Sequence, residues 1–147
     1  MKLDWLDADR PGAPSLADLA RIGVLHERLE VDPQAYQPPL DQLARARGYV
    51  EQDIVELDAS TPELPAIRAK FDREHLHTDD EVRYVLDGEG IFDVRSTDDR
   101  WIRITVEAGD LLVVPAQLHH RFLLTDREHI RCVRLFKDKR GWVPVYR

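Results

Sequence analysis

Two hydrophobic patterns divide the chain. Through the first 72 residues, helical and strand signals take turns. "SLADLARIG" (15–23) opens on a capping-type serine, Ser15, and stops at Gly23, which predicts a short helix. "VLHERLEV" alternates apolar with polar positions and predicts a strand. "PPLDQLARARG" predicts a second helix that begins at the proline pair and ends at Gly48. "DIVELD" predicts another strand, and "PELPAIRAKF" a third helix with Pro65 in its first turn. From residue 73 the pattern changes to short β-rich runs: "VRYVLDG", "IFDVRS", "WIRITVEAG", "LLVVPA", "HHRFLLTD", "HIRCVRLFKD" and "WVPVY". The turn signals "DGEG", "STDDR", "EAGD", "TDRE" and "KDKRG" separate them at the intervals of sandwiches and barrels. No long helical pattern interrupts them, so the sheet is expected to be antiparallel. The fold class is therefore mainly β: a small β-barrel or double-sheet jelly roll at 73–147. A short N-terminal α/β extension, 1–72, is expected to pack on its outside within one domain, 1–147.

Composition narrows the function classes. At 147 residues the chain is long enough to bury a sizeable core. A net charge of −7, with no basic stripe, argues against a nucleic-acid footprint. It leaves room for an anionic small molecule, because a few buried arginines can oppose the overall sign locally. One cysteine, Cys132, excludes an internal disulfide framework and fits a reducing compartment. "MKLDWLDADRPGAP" lacks the apolar core of a signal peptide, and no apolar run approaches membrane length. A cytoplasmic protein is expected, with neither a membrane nor a nucleic-acid partner.

The candidate chemistry lies in "REHLHTDDEVRY" (73–84). Alternate residues of a strand share a face, so His75 and His77 point together, as do Glu81 and Arg83. If that face is inward, these groups must be paired, hydrogen-bonded or bound to a metal. His120 follows "GDLLVVPAQLH" on a later strand. Imidazole nitrogen with carboxylate oxygen suits Fe, Ni, Mn or Zn, provided that a turn in "TDD" brings Glu81 round. An H-x-H spacing alone is usually an exposed strand; Glu81, Gly88 and the downstream G-x5-P-x4-H make coincidence a poor explanation. His119 is expected outward or behind the ligands, and His26 and His129 at the surface or half-buried. Cys132 reads as a small buried hydrophobe. In "HIRCVRLF" each face mixes an arginine with apolar residues, so parity alone does not choose between Arg131 and Arg134.

The pattern H-x-H-x3-E-x6-G, filled by His75, His77, Glu81 and Gly88, matches the first cupin motif. G-x5-P-x4-H, filled by Gly109, Pro115 and His120, matches the second. Ala69 stands where the motif begins with glycine, Gln117 where glycine is usual, and Leu124 where many cupins have asparagine. The run from "FDREHLH" through "PAQLHHRF", with "RLFKDKRGWVP" after it, resembles the acireductone dioxygenase family of methionine salvage. "SLADLARIGVLHERLEV" and "ARGYVEQDIVEL" extend the likeness over most of the chain, although Arg147 ends it early for that family.

The resemblance implies a cupin barrel with one Fe(II) or Ni(II) ion per chain, held by His75, His77, Glu81 and His120. It assigns Arg83 and Arg134 to the pocket as substrate-binding groups, and Phe71, Phe122 and Trp142 to its apolar wall. Glu74 and Asp80 match flanking acidic positions suited to metal loading or loop coupling. The implied substrates are an acireductone, 1,2-dihydroxy-3-keto-5-methylthiopentene, and O2. With Fe(II) the products implied are formate and 4-methylthio-2-oxobutanoate; with Ni(II), formate, CO and 3-methylthiopropanoate. A monomer is expected. The rival expectations are another metal-dependent cupin enzyme, acting on a different substrate or as an isomerase, and a non-enzymatic cupin that binds a metal or ligand.

Overall fold

Asp32, rather than the proline pair, starts the longest helix. The structure is a computed structural model that describes residues 1–7, 9–138 and 143–147. In it, α2 (Pro33–Arg47) has Asp32 as N-cap accepting the Gln34 N–H at 3.1 Å, with Pro33 in the first turn. Pro38 and Pro39 therefore fall inside the helix. Their missing N–H groups leave early carbonyls unbonded where Pro38 and Gln34 are exposed and water can serve them. Gly48, at φ 77°, ends the helix as expected. The other two helices are short: α1 (Leu16–Arg21), closed by a capping box between Ser15 and Asp18, and α3 (Leu64–Phe71), with Pro65 in its first turn.

The ten described strands are β1 (Lys2–Trp5), β2 (Leu25–Arg28), β3 (Glu51–Leu57), β4 (His75–Leu76), β5 (Glu81–Arg95), β6 (Trp101–Glu107), β7 (Asp110–Val114), β8 (His120–Leu124), β9 (Ile130–Phe136) and β10 (Val145–Tyr146). All their pairings are antiparallel. One sheet runs β1-β6-β5-β8-β4-β10, the other β2-β7-β5-β9-β3. Residues 1–72 thus supply three of the four sheet margins, through β1, β2 and β3, and β10 forms the fourth. Helix α2 covers the outer face of the second sheet, where Tyr36 and Leu40 pack with Val82, Tyr84, Val133 and Leu135. The inner faces close on a separate core that includes Val85, Phe92, Val94, Ile102 and Leu112. This is the antiparallel double-sheet barrel of a cupin.

The two sheets share β5. "DGEG" is a corner within one strand and not a turn between two. Residues 81–88 pair with β7 and β9; residues 89–95 pair with β6 and β8. A register shift between Val85 and Asp87 starts the bend. Gly88 completes it at φ 79°, and a Cβ there would lie 2.2 Å from the His129 carbonyl oxygen. Glycine is the residue such a corner admits. Among the described residues, no helix is long and apolar enough to cross a membrane.

Candidate metal centre

The site forms where β4, the start of β5 and the start of β8 meet inside the barrel. His75 and His120 are direct partners in the β4–β8 pairing, so their rings lie side by side, tilted by 57° with 4.6 Å between centroids. A bend at Thr78 and Asp79 turns the chain after His77 and delivers Glu81 to the same centre, as the sequence required. His75, His77 and His120 offer ligand nitrogens that all lie within 4.8 Å of one another, and all three are buried. Glu81 Oε2 lies 2.7 Å from His120 Nε2 and 3.5 Å from His77 Nε2.

Tautomers follow from the neighbours. His75 Nδ1 sits 2.7 Å from the Arg73 carbonyl and His120 Nδ1 2.8 Å from the Leu118 carbonyl. A carbonyl only accepts, so both Nδ1 atoms carry hydrogen and both Nε2 atoms face the centre. A His120 Nε2 lone pair aimed at the Glu81 carboxylate requires a cation between them, a proton or a metal ion. Burial, with His120 and His77 nearby, lowers the His75 pKa to about 4 against the Arg73 hydrogen bond, so the ring is neutral near pH 7. Burial also works to raise the Glu81 carboxyl, yet Arg83 and the two histidines hold it well below the usual range. His77 Nδ1 is buried, with no hydrogen-bond partner among the described residues. Three buried imidazoles whose nitrogens converge beside an ionised carboxylate fit a divalent transition metal.

One loop contact sets the second motif against the first. Gln117 N–H donates to the His77 carbonyl at 2.9 Å, with Gln117 at φ 69°. The usual glycine of that position would take this left-handed conformation freely; glutamine takes it with strain.

The centre opens on a cavity of about 200 Å3 lined by His77, Glu81, Arg83, Arg134 and a mostly apolar wall. Arg83 and Arg134 both face it, which settles the parity that the sequence left open: Val133 and Leu135 turn to α2 instead. Arg83 Nη2 lies 2.9 Å from Glu81 Oε1. Arg134 makes a two-point pair with Asp53, Nε–Oδ1 at 2.8 Å and Nη2–Oδ2 at 2.5 Å. Phe71 and Phe122 line the wall; Trp142 lies outside the described residues. Cys132 also lines it, its thiol pushed up by burial, and so stays protonated.

The two acidic flankers are engaged elsewhere. Glu74 accepts two 2.8 Å bonds from Arg95 and one from Arg147, which bring its pKa down to about 2. Asp80 accepts from Tyr49 Oη at 2.6 Å, Arg47 at 3.0 Å and the Ala116 N–H at 2.9 Å, tying the end of α2 to the loop before His120. His119 is half-buried, and His26 pairs with the fully buried Asp110 at 2.7 Å. Sequence reasoning missed Asp53 and the wall residues Val55, Leu57 and Ile67. Alternation marks the strand of Asp53, Val55 and Leu57, but only the β3–β9 pairing sets that strand beside Arg134 and the cavity, and Ile67 reaches the wall from α3.

The model described as the ARD/ARD' family matches residues 9–144. The chain is 44% identical over 147 residues to the acireductone dioxygenase of Heterostelium pallidum, covering all of this chain and 98% of that protein. It is 42% identical over 138 residues to the acireductone dioxygenase of Gallus gallus, covering 92% of this chain and 76% of that protein. A solved acireductone dioxygenase from Bacillus anthracis, with a cadmium ion in its active centre, superposes with a TM-score of 0.88 at 28% identity. That match covers 98% of this chain and 96% of the other.

Proposed function

The chain belongs to the ARD/ARD' family of acireductone dioxygenases, and on that premise we propose how it works: it cleaves 1,2-dihydroxy-3-keto-5-methylthiopentene with O2 at one Fe(II) or Ni(II) ion held by His75, His77, Glu81 and His120. The observation that carries this reading is the buried three-histidine, one-carboxylate cluster at the base of a cavity whose other polar groups include two arginines. The cadmium in the Bacillus anthracis protein supports a divalent ion at the corresponding centre here.

When bound, the ion supplies Lewis acidity toward the enediol oxygens of the substrate. The chain's own groups do the rest. Arg83 and Arg134 face the cavity and offset the charge of the doubly ionised enediol. Arg83 also keeps Glu81 in its anionic, ligating form. The carbonyls of Arg73 and Leu118 fix the His75 and His120 rings so that nothing need reorient as substrate arrives. Phe71 and Phe122 exclude water and receive the methylthio end. Glu74 and Asp80 act through the surrounding loops. With Fe(II) the carbons of the substrate emerge as formate and 4-methylthio-2-oxobutanoate. With Ni(II) they emerge as formate, CO and 3-methylthiopropanoate. The same reading assigns the enzyme to the cytoplasm as a monomer.

The test is anaerobic mixing of metal-loaded protein with the synthetic acireductone, then O2, with product identification for each metal. Accelerated loss of the enediol absorbance with metal-dependent products is expected. Loss at the rate of metal in buffer would defeat the reading.

A further inference from the structure

One row across the second sheet carries three charges. In the β3–β9 register Asp53 stands opposite Arg134, and in the β5–β9 register Arg134 stands opposite Arg83. Two arginines side by side on one face repel. Arg83 is neutralised by Glu81, which the metal centre also uses. Arg134 is neutralised by Asp53 through the parallel two-point fork, the most directional ion pair available to a guanidinium. Asp53 shares its strand face with Val55 and Leu57, which line the cavity, so the carboxylate backs Arg134 from the cavity side of β3.

We propose that Asp53 is the positioning residue of Arg134 and sets the charge of the substrate cavity. This rests on the dioxygenase reading above. Glu81 pairs with Arg83, and Asp53 with Arg134. Asp53 does two things. It fixes the direction in which Arg134 presents its donors, and it removes one positive charge that would otherwise hold anionic products in the cavity. It touches neither substrate nor metal; it acts through Arg134.

The two effects move kinetic constants in different directions. Asp53→Asn keeps the shape and drops the charge. It is expected to lower kcat about ten- to a hundredfold through lost orientation and slower product release. KM for the acireductone is expected to fall about threefold or more as the cavity gains a positive charge. A merely structural role would not lower KM. In an Arg134→Ala background, Asp53→Ala is expected to cost no further kcat, because the residue it positions is gone. Asp53→Glu, which keeps the carboxylate, should recover much of the kcat.

Oxalate, a small dianion, titrated calorimetrically into zinc-loaded protein supplies a readout independent of turnover: Asp53→Asn is expected to bind it about threefold tighter or more. Wild-type constants in Asp53→Asn, a raised KM, or additive losses in the double variant would each overturn the proposal. If the wild type consumes no acireductone, the functional reading falls. The oxalate titration still decides this one, and equal or weaker binding by Asp53→Asn overturns it.

Discussion

Arg83 and Arg134 stand directly opposite one another in the β5–β9 ladder, and each is matched by a carboxylate, Glu81 for the first and Asp53 for the second. Like charges in such a register persist only when something else is gained. Here the gain is a cavity wall that presents two guanidinium groups beside a metal-ligand cluster. Arg134→Ala is expected to retain a full equivalent of metal and to lose about 10²–10³ in kcat, the usual cost of one well-placed electrostatic donor. Metal analysis with steady-state kinetics checks both halves. Unchanged kinetics would assign the residue to structure.

Removal of a ligand should act on the metal first. His120→Ala and Glu81→Ala are each expected to weaken metal binding by at least about tenfold, since even groups behind the ligands contribute that much. The readout is equivalents of iron or nickel remaining after gel filtration. A full equivalent in either variant would place the ion elsewhere.

The corner of β5 makes a stability prediction with its own control. Gly88→Ala must adopt φ 79° and meet the His129 carbonyl, whereas Gly12, at φ 73°, has nothing within 4 Å of an added Cβ. Gly12→Ala is expected to cost about 1 kcal/mol of backbone strain alone. Gly88→Ala should cost about 3 kcal/mol or more, read as a Tm drop of about 6–12 °C. Equal Tm values for the two variants would show that the corner relaxes.

Gln117 offers the opposite change. Gln117→Gly relieves a left-handed conformation at φ 69° and is expected to stabilise by up to about 1 kcal/mol, provided the N–H to His77 bond survives. Thermal melting measures it, and a loss of stability would mean that the side chain holds the loop.

Acid should find Asp110. This carboxylate is fully buried and accepts from His26 at 2.7 Å, Arg28 at 2.9 Å and the Glu107 N–H at 2.9 Å. Burial alone would raise its pKa, but those partners hold it well below the usual 3.8. A depressed folded value means stability that is complete above about 3.8 and lost as pH falls through the lower folded value. Asp110→Asn is expected to cost about 3 kcal/mol near neutral pH and to flatten the acid limb of the urea midpoint. An acid limb identical to that of the wild type would assign the pH dependence to other groups.

The cluster of three histidines and Glu81 was legible because its spacing is local: His75, His77 and Glu81 lie on β4, the bend after it and the start of β5, while Gly109 and Pro115 flank β7 and His120 opens β8. Element types from 73 onward were legible for the same reason, through alternation and turn residues. Three features were not. "DGEG" has the residues of a turn, yet its glycines serve a strand that passes between sheets, which depends on which strands lie beside it. The helix start at Asp32 was hidden because a proline pair mimics a first turn. Asp53 could not be found because its partner is 81 residues away and only the sheet register joins them.

A single strand, β5, belongs to both sheets and carries Glu81 and Arg83 before its corner and Phe92 after it. Sliding that ribbon by one position would swing the acid and the base out beneath α2 and pull the aromatic ring from the cavity at the same stroke. The molecule therefore has no half-measures open to it: a chain that closes in the wrong alignment forfeits its chemistry together with its architecture.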